Sequence, residues 1–206
     1  MEKAYKVLST IFVFILLLFA LPVLAEEDIY IPMNKLPHEV RPFVTKGMKA
    51  LSFVSADLNG DGFKDFILVL ERQKSNHADI VDRQRPFLLL IRQSDKKLKE
   101  CKRNDRIVYC STCGGMMGDP FQEVRAGKKT FTVSQSGGSA WRWSVDYTFN
   151  YSRLDKTWQL VRVKEESFHA SDPDNGKTEV FIPNKDYGKI DIADFNPEKW
   201  KGQGQK

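Results

Sequence analysis

From Trp141 to Tyr151 the chain alternates without a break. Trp141, Trp143, Val145, Tyr147, Phe149 and Tyr151 fall on one side, and Arg142, Ser144, Asp146, Thr148 and Asn150 on the other. Side chains of a strand point to opposite faces in turn, and no helical face repeats every second residue. This segment is therefore a strand with one apolar face. Such a strand needs partners, and the flanking sequence supplies them. Ser152–Lys156 reads as a turn into Thr157–Lys164 (TWQLVRVK), and Lys128–Gln135 alternates as well. Pro86–Gln93 (PFLLLIRQ) is a continuous apolar run, as expected of a strand covered on both faces. The polar residues 74–85 read as the loop before it, and Thr178–Ile182 as a last strand. Pro37–Gly47 is expected to hold a short N-terminal helix broken by Pro42. The fold expected is mainly β: a single antiparallel β domain with no internal repeat. The aromatic stripe reads first as a core face, with an exposed platform for stacking sugars or bases as the alternative.

The segment Asp57-Leu-Asn59-Gly-Asp61-Gly62-Phe63-Lys-Asp65 carries the clearest chemistry. Four oxygen-bearing side chains are spaced around a glycine that permits a tight reversal. Calcium takes about six to eight oxygens, several of them carboxylates. Asp57, Asn59, Asp61 and Asp65 can supply side-chain oxygens, and the Phe63 carbonyl a backbone one. An EF-hand is excluded, because its twelfth position requires Glu and here it is Leu68. The flanks KALSFVSA and FILVL are strand-like rather than helix-periodic, so the loop is expected to close a β-hairpin around Ca2+. The plain alternative is an acidic turn without metal.

Residues 1–25 have the form of an export signal. Lys3 and Lys6 precede an apolar run over Ile11–Leu21, and Val23-Leu24-Ala25 offers a cleavage site near Ala25. The expected organisation is a signal peptide over 1–25, an exported β-rich domain over 26–200, and a loose tail over 201–206. The product would be periplasmic or extracellular, with no transmembrane span after cleavage. Net charge is +5, with both signs mixed, and the densest basic stretch is Lys96–Arg106. With no nucleic-acid motif beside it, that stretch reads as a lysine-protected sheet edge rather than a nucleic-acid site.

In an oxidising compartment two of Cys101, Cys110 and Cys113 are expected to form a disulfide, for instance Cys110–Cys113 in its loop, leaving one thiol over. Two alternatives stand beside that structural bridge. A redox-active pair is disfavoured by Gly114-Gly115, which follow where a helix would begin. The thiolates of Cys110 and Cys113 with the thioethers of Met116 and Met117 would suit Cu(I). Known catalytic patterns are absent: the three histidines show no HExxH spacing, and no GxSxG or P-loop occurs.

The DxNxDGxxD loop between two strands resembles the calcium loop of FG-GAP and VCBS-type repeats, found in the β-propellers of integrin α-chains. The resemblance implies calcium held by Asp57, Asn59, Asp61, the Phe63 carbonyl and Asp65. It covers about residues 49–71, too little to imply a propeller. The wider chain resembles a group of uncharacterised exported bacterial proteins through Phe43–Asp65, Cys113–Phe121, Gly137–Trp143 and Glu166–His169. That likeness implies one domain and no particular activity. The functional expectation is a structural or binding module of the cell envelope with a protein or glycan partner. The alternatives are an envelope hydrolase or redox enzyme using Cys113–Phe121 with Asp119, Glu166 and His169, or copper handling by the Cys/Met cluster.

Overall fold

The computed structural model describes residues 29–72 and 84–203. The signal peptide expected over 1–25, most of the loop expected over 74–85, and residues 204–206 lie outside the described residues. Among the described residues, nine strands form two antiparallel sheets. The first is a meander of β1 (Met48–Ala56), β2 (Asp65–Arg72), β3 (Arg85–Arg92) and β4 (Leu98–Val108). The second is a meander of β5 (Phe121–Gly127), β6 (Thr130–Gly138), β7 (Trp141–Ser152), β8 (Thr157–His169) and β9 (Asp172–Phe181). The mainly β, antiparallel expectation holds.

The alternation explains the layering. Ile67, Val69, Phe87 and Leu89 of the first sheet share a core with Phe131, Val133, Tyr147 and Phe149 of the second. The opposite side chains of β2 and β3, Leu68, Leu70, Leu88 and Leu90, are buried beneath Leu36 and Val40 of the N-terminal segment. Both faces of these strands are covered, which is why their sequences run apolar without alternation. That N-terminal cover is not the short helix expected. It makes two single 3-10 turns, Met33–Lys35 and Arg41–Phe43. Pro32, Pro37 and Pro42 each lack a backbone N–H, so no longer helical ladder can form here.

The C-terminal region departs most from expectation. The last strand begins at Asp172 rather than Thr178, and the chain beyond it packs into the core without forming a further strand. Tyr187, Ile190, Ile192, Phe195 and Trp200 are all buried in the main core. Residues 190–192 take up backbone pairing along the first half of β8, where Leu160 N–H donates to the Ile190 carbonyl and Ile192 N–H to that of Trp158. Across the gap, buried Asn104 on edge strand β4 donates through Nδ2 to the carbonyls of Ile192 (2.6 Å) and Phe195 (2.8 Å). The segment thus closes one side of the sandwich. Of the tail read as 201–206, residues 201–203 are described, and Gln203 accepts a hydrogen bond from Gly188 N–H.

Asp191 fastens this closure. Its carboxylate accepts from Lys102 Nζ (2.9 Å), Thr157 Oγ1 (2.5 Å) and Ala193 N–H (2.8 Å). Burial pushes its pKa up, but these bonds outweigh burial and hold it below the ordinary 3.8. A depressed carboxylate stabilises the fold above its unfolded pKa and loses that contribution as pH falls through the folded value. The urea midpoint should therefore fall on acidification below about pH 4, and Asp191→Asn should flatten that part of the profile.

Candidate metal centre

Residues 57–64 connect β1 to β2, whose last register pair is Ala56 with Asp65. The loop curls because its own side chains bind its backbone. Asp57 Oδ1 accepts from Gly60 N–H (2.7 Å) and Oδ2 from Gly62 N–H (3.2 Å). Asp61 Oδ1 accepts from Phe63 N–H (2.8 Å), and Asn59 Oδ1 from Asp61 N–H (3.0 Å). Gly60 and Gly62 have φ of +81° and +88°, a left-handed backbone that side-chain-bearing residues rarely adopt. A Cβ at Gly60 would meet only the end of the Lys129 side chain, which can swing aside, so it is the backbone conformation that calls for glycine here.

The loop is also fixed from outside. Buried Leu58 plugs it into the core, and its carbonyl accepts from the indole N–H of Trp158 at 2.8 Å. The Asp57 carbonyl accepts from Lys129 N–H at 2.9 Å, joining the loop to the β5–β6 turn. Neither anchor follows from local sequence, because both partners lie far along the chain.

Carboxylate oxygens of Asp57, Asp61 and Asp65 converge within 4.8 Å of one another. Asn59 joins them through an Nδ2 bond to Asp61 Oδ2 at 2.8 Å. Asp65 is fully buried, and its two oxygens accept from Leu58 N–H (2.9 Å) and Arg92 N–H (2.8 Å). Burial raises its pKa; the two N–H donors oppose this, while Asp61 and Asp57 add to it, and the net direction is upward. Among the described residues, the one ion pair to these three carboxylates is Lys128 to Asp57, at 3.8 Å from a largely exposed lysine. Each carboxylate oxygen keeps lone-pair capacity beyond its N–H donor. An acid-rich set of oxygens of this kind fits a hard divalent cation.

The cysteine loop is resolved differently. Cys110 and Cys113 are joined by a disulfide, and Cys101 is the free cysteine. The disulfide withdraws two thiolates from the soft-metal set, leaving Met116 and Met117 as exposed thioethers, 89% and 51% accessible. Asp119 is gripped by Arg85, Glu166 is bonded to Ser144 and Lys164, and His169 to Ser171. Among the described residues no hydrogen bond joins these three to one another. Three of the four segments carrying the wider resemblance, Cys113–Phe121, Gly137–Trp143 and Glu166–His169, nevertheless meet at one end of the second sheet. Gly138 N–H donates to the Gly114 carbonyl at 2.8 Å, and Trp141 pairs with His169 in register.

Sequence reasoning missed Arg85. Only 1% exposed, it donates to Glu71 Oε1, to both Asp119 oxygens and to the Tyr109 carbonyl, tying β3 to β2 and to the cysteine loop. A charged residue heading an otherwise apolar strand was its one signal.

Comparison with protein families, with curated proteins and with solved structures finds no match to this chain. Among the described residues no helix is long and apolar enough to cross a membrane.

Proposed function

We propose that this protein is an exported, calcium-binding β domain that serves as a structural or binding module of the cell envelope. The observation that carries the reading is the convergence of three carboxylates, one of them fully buried, with one ion pair to them among the described residues, from exposed Lys128. Like charges held this close repel, and a divalent ion between them would turn that repulsion into attraction. Asp57, Asn59, Asp61, the Phe63 carbonyl and Asp65 would hold the ion. Its role would be to pin the β1–β2 hairpin, and through Leu58 and Lys129 the second sheet as well. The Cys110–Cys113 bridge supports an oxidising compartment outside the cytoplasm.

Extracellular calcium modules commonly bind with Kd of about 10⁻⁴–10⁻³ M, so a tenfold excess over Kd stabilises by about 1.4 kcal/mol. The melting temperature should rise saturably by about 3–6 °C in calcium. Asp61→Ala should abolish the rise. A melting temperature indifferent to calcium, with Asp61→Ala as stable as wild type, would make the loop an acidic turn.

A further inference from the structure

The aromatic stripe of β7 does two different jobs. Val145, Tyr147 and Phe149 are buried in the shared core, while Trp141, on the same face, is 66% exposed. Trp143, between them, is half-buried and packs only partly against the core. The second sheet is longer than the first, so its inner face continues past the covered region. In that continuation Trp143 lies opposite Ser167 and Lys177, and Val145 opposite Glu165 and Glu179. Tyr109, just beyond β4, and Pro197 of the C-terminal segment add further walls. The result is an open cleft of about 260 Å³.

Two features of this cleft bear on what it would hold. The first is a braced aromatic ring. Tyr109 meets the Trp143 ring edge-on at 5.9 Å, and a Cβ on Gly137 would lie 2.7 Å from Trp143 Cζ2. The indole is therefore held in place before any ligand arrives, which lowers the entropic cost of stacking on it. The second is local neutrality. Each carboxylate lining the cleft has its own lysine: Glu165 with Lys201 (3.0 Å), Glu166 with Lys164 (2.6 Å) and Glu179 with Lys177 (3.0 Å). The Tyr109 and Tyr147 hydroxyls, 3.1 Å apart, lie at the same site. Burial raises both their pKa values, so both stay protonated; one donates to the other, and the pair keeps one proton to offer a ligand.

A charged ligand would find no uncompensated partner here. A ligand with many hydroxyls and one apolar C–H face would find a ring for that face, with paired acceptors and donors around it. We infer that this cleft binds a neutral saccharide, stacked on Trp143 and hydrogen-bonded by Glu165, Glu179, Lys177 and the tyrosine pair. Its size lies just below the range of about 300–1,000 Å³ typical of drug-sized ligands, which suits a short sugar rather than a long chain. The inference does not rest on the metal centre, which uses other residues.

The test is ligand-observed saturation-transfer NMR with calorimetry on the purified protein, in chelator and in excess calcium alike. The probes are cellobiose, maltose and N,N′-diacetylchitobiose, with spermidine and glucuronate as charged controls. At least one neutral disaccharide should bind saturably, with saturation concentrated on the C–H protons of one sugar face. Trp143→Ala should weaken it about tenfold or more, as loss of a central aromatic contact does. Glu179→Gln, at the exposed edge strand, exchanges one of two acceptor oxygens for a donor without touching the core and should also weaken binding. No binding by any of the three sugars would overturn the inference. So would binding unchanged in both variants, or binding of a charged control in preference to every sugar.

Discussion

Arg85→Ala should cost about 3–5 kcal/mol, the penalty for removing one partner from a buried charge cluster. Arg85 is 1% exposed and its donors are shared among Glu71, Asp119 and the Tyr109 carbonyl. Without it, two carboxylates and a carbonyl would face one another with no cation. The Tyr30 hydroxyl, 2.8 Å from Glu71 Oε2, can offset only part of this. In urea unfolding the midpoint should fall markedly, and the melting temperature by about 6–20 °C. Arg125→Ala is the control: its pair with Glu123 is more than half exposed on both sides, and its loss should cost no more than about 1 kcal/mol. Equal losses in the two variants would show that the Arg85 cluster is not the clamp its burial implies.

Gly138→Ala should be nearly as damaging, for a steric reason. Gly138 has φ +115°, and a Cβ there would lie 2.0 Å from the Trp141 carbonyl oxygen and 3.0 Å from Arg142 Cα. Both obstacles are backbone, so no side-chain rotation relieves them. The turn between β6 and β7 would have to open, and with it the Gly138 bond to Gly114 that docks the cysteine loop. A loss of about 3–5 kcal/mol is expected, at the high end for a single substitution. Gly47→Ala separates clash from conformation, because Gly47 has φ +81° with nothing within 4 Å of its missing Cβ. It should cost only about 1–2 kcal/mol, the penalty of the left-handed backbone alone. Similar unfolding midpoints for the two variants would contradict the steric argument.

What could be read from the sequence was what repeats locally. Period-two alternation gave β6 and β7, the turn over Ser152–Lys156 gave β8 as the hairpin partner of β7, and the unbroken run over Pro86–Gln93 implied cover on both faces. The three carboxylates that converge stood together in the sequence because the loop draws them from neighbours in the chain. The rest depended on distant partners. Tyr187, Ile190, Ile192, Phe195 and Trp200 show no strand period and sit among Pro, Lys and Asp, so nothing local marks them as core. Asp172–Lys177 lie outside the strand expected over Thr178–Ile182, yet these residues begin β9, because β8 continues to His169 and offers them a backbone ladder. Pro37–Gly47 is expected to hold a short helix, but the prolines of the N-terminal segment leave it only 3-10 turns. The stripe over Trp141–Tyr151 had the right period throughout. Where its core half ends is set by the length of the opposite sheet, a property no single strand encodes.

The most direct measurement is terbium luminescence. Tb3+ is a hard, oxygen-seeking ion that can take calcium's place, and Trp158 donates to the carbonyl of Leu58, the residue after Asp57. If the loop is a metal centre, exciting tryptophan should give sensitised Tb3+ emission that saturates at one ion per chain. Calcium should displace it, and Asp61→Ala should abolish it. Absence of sensitised emission, or emission that survives Asp61→Ala unchanged, would contradict calcium binding at this loop.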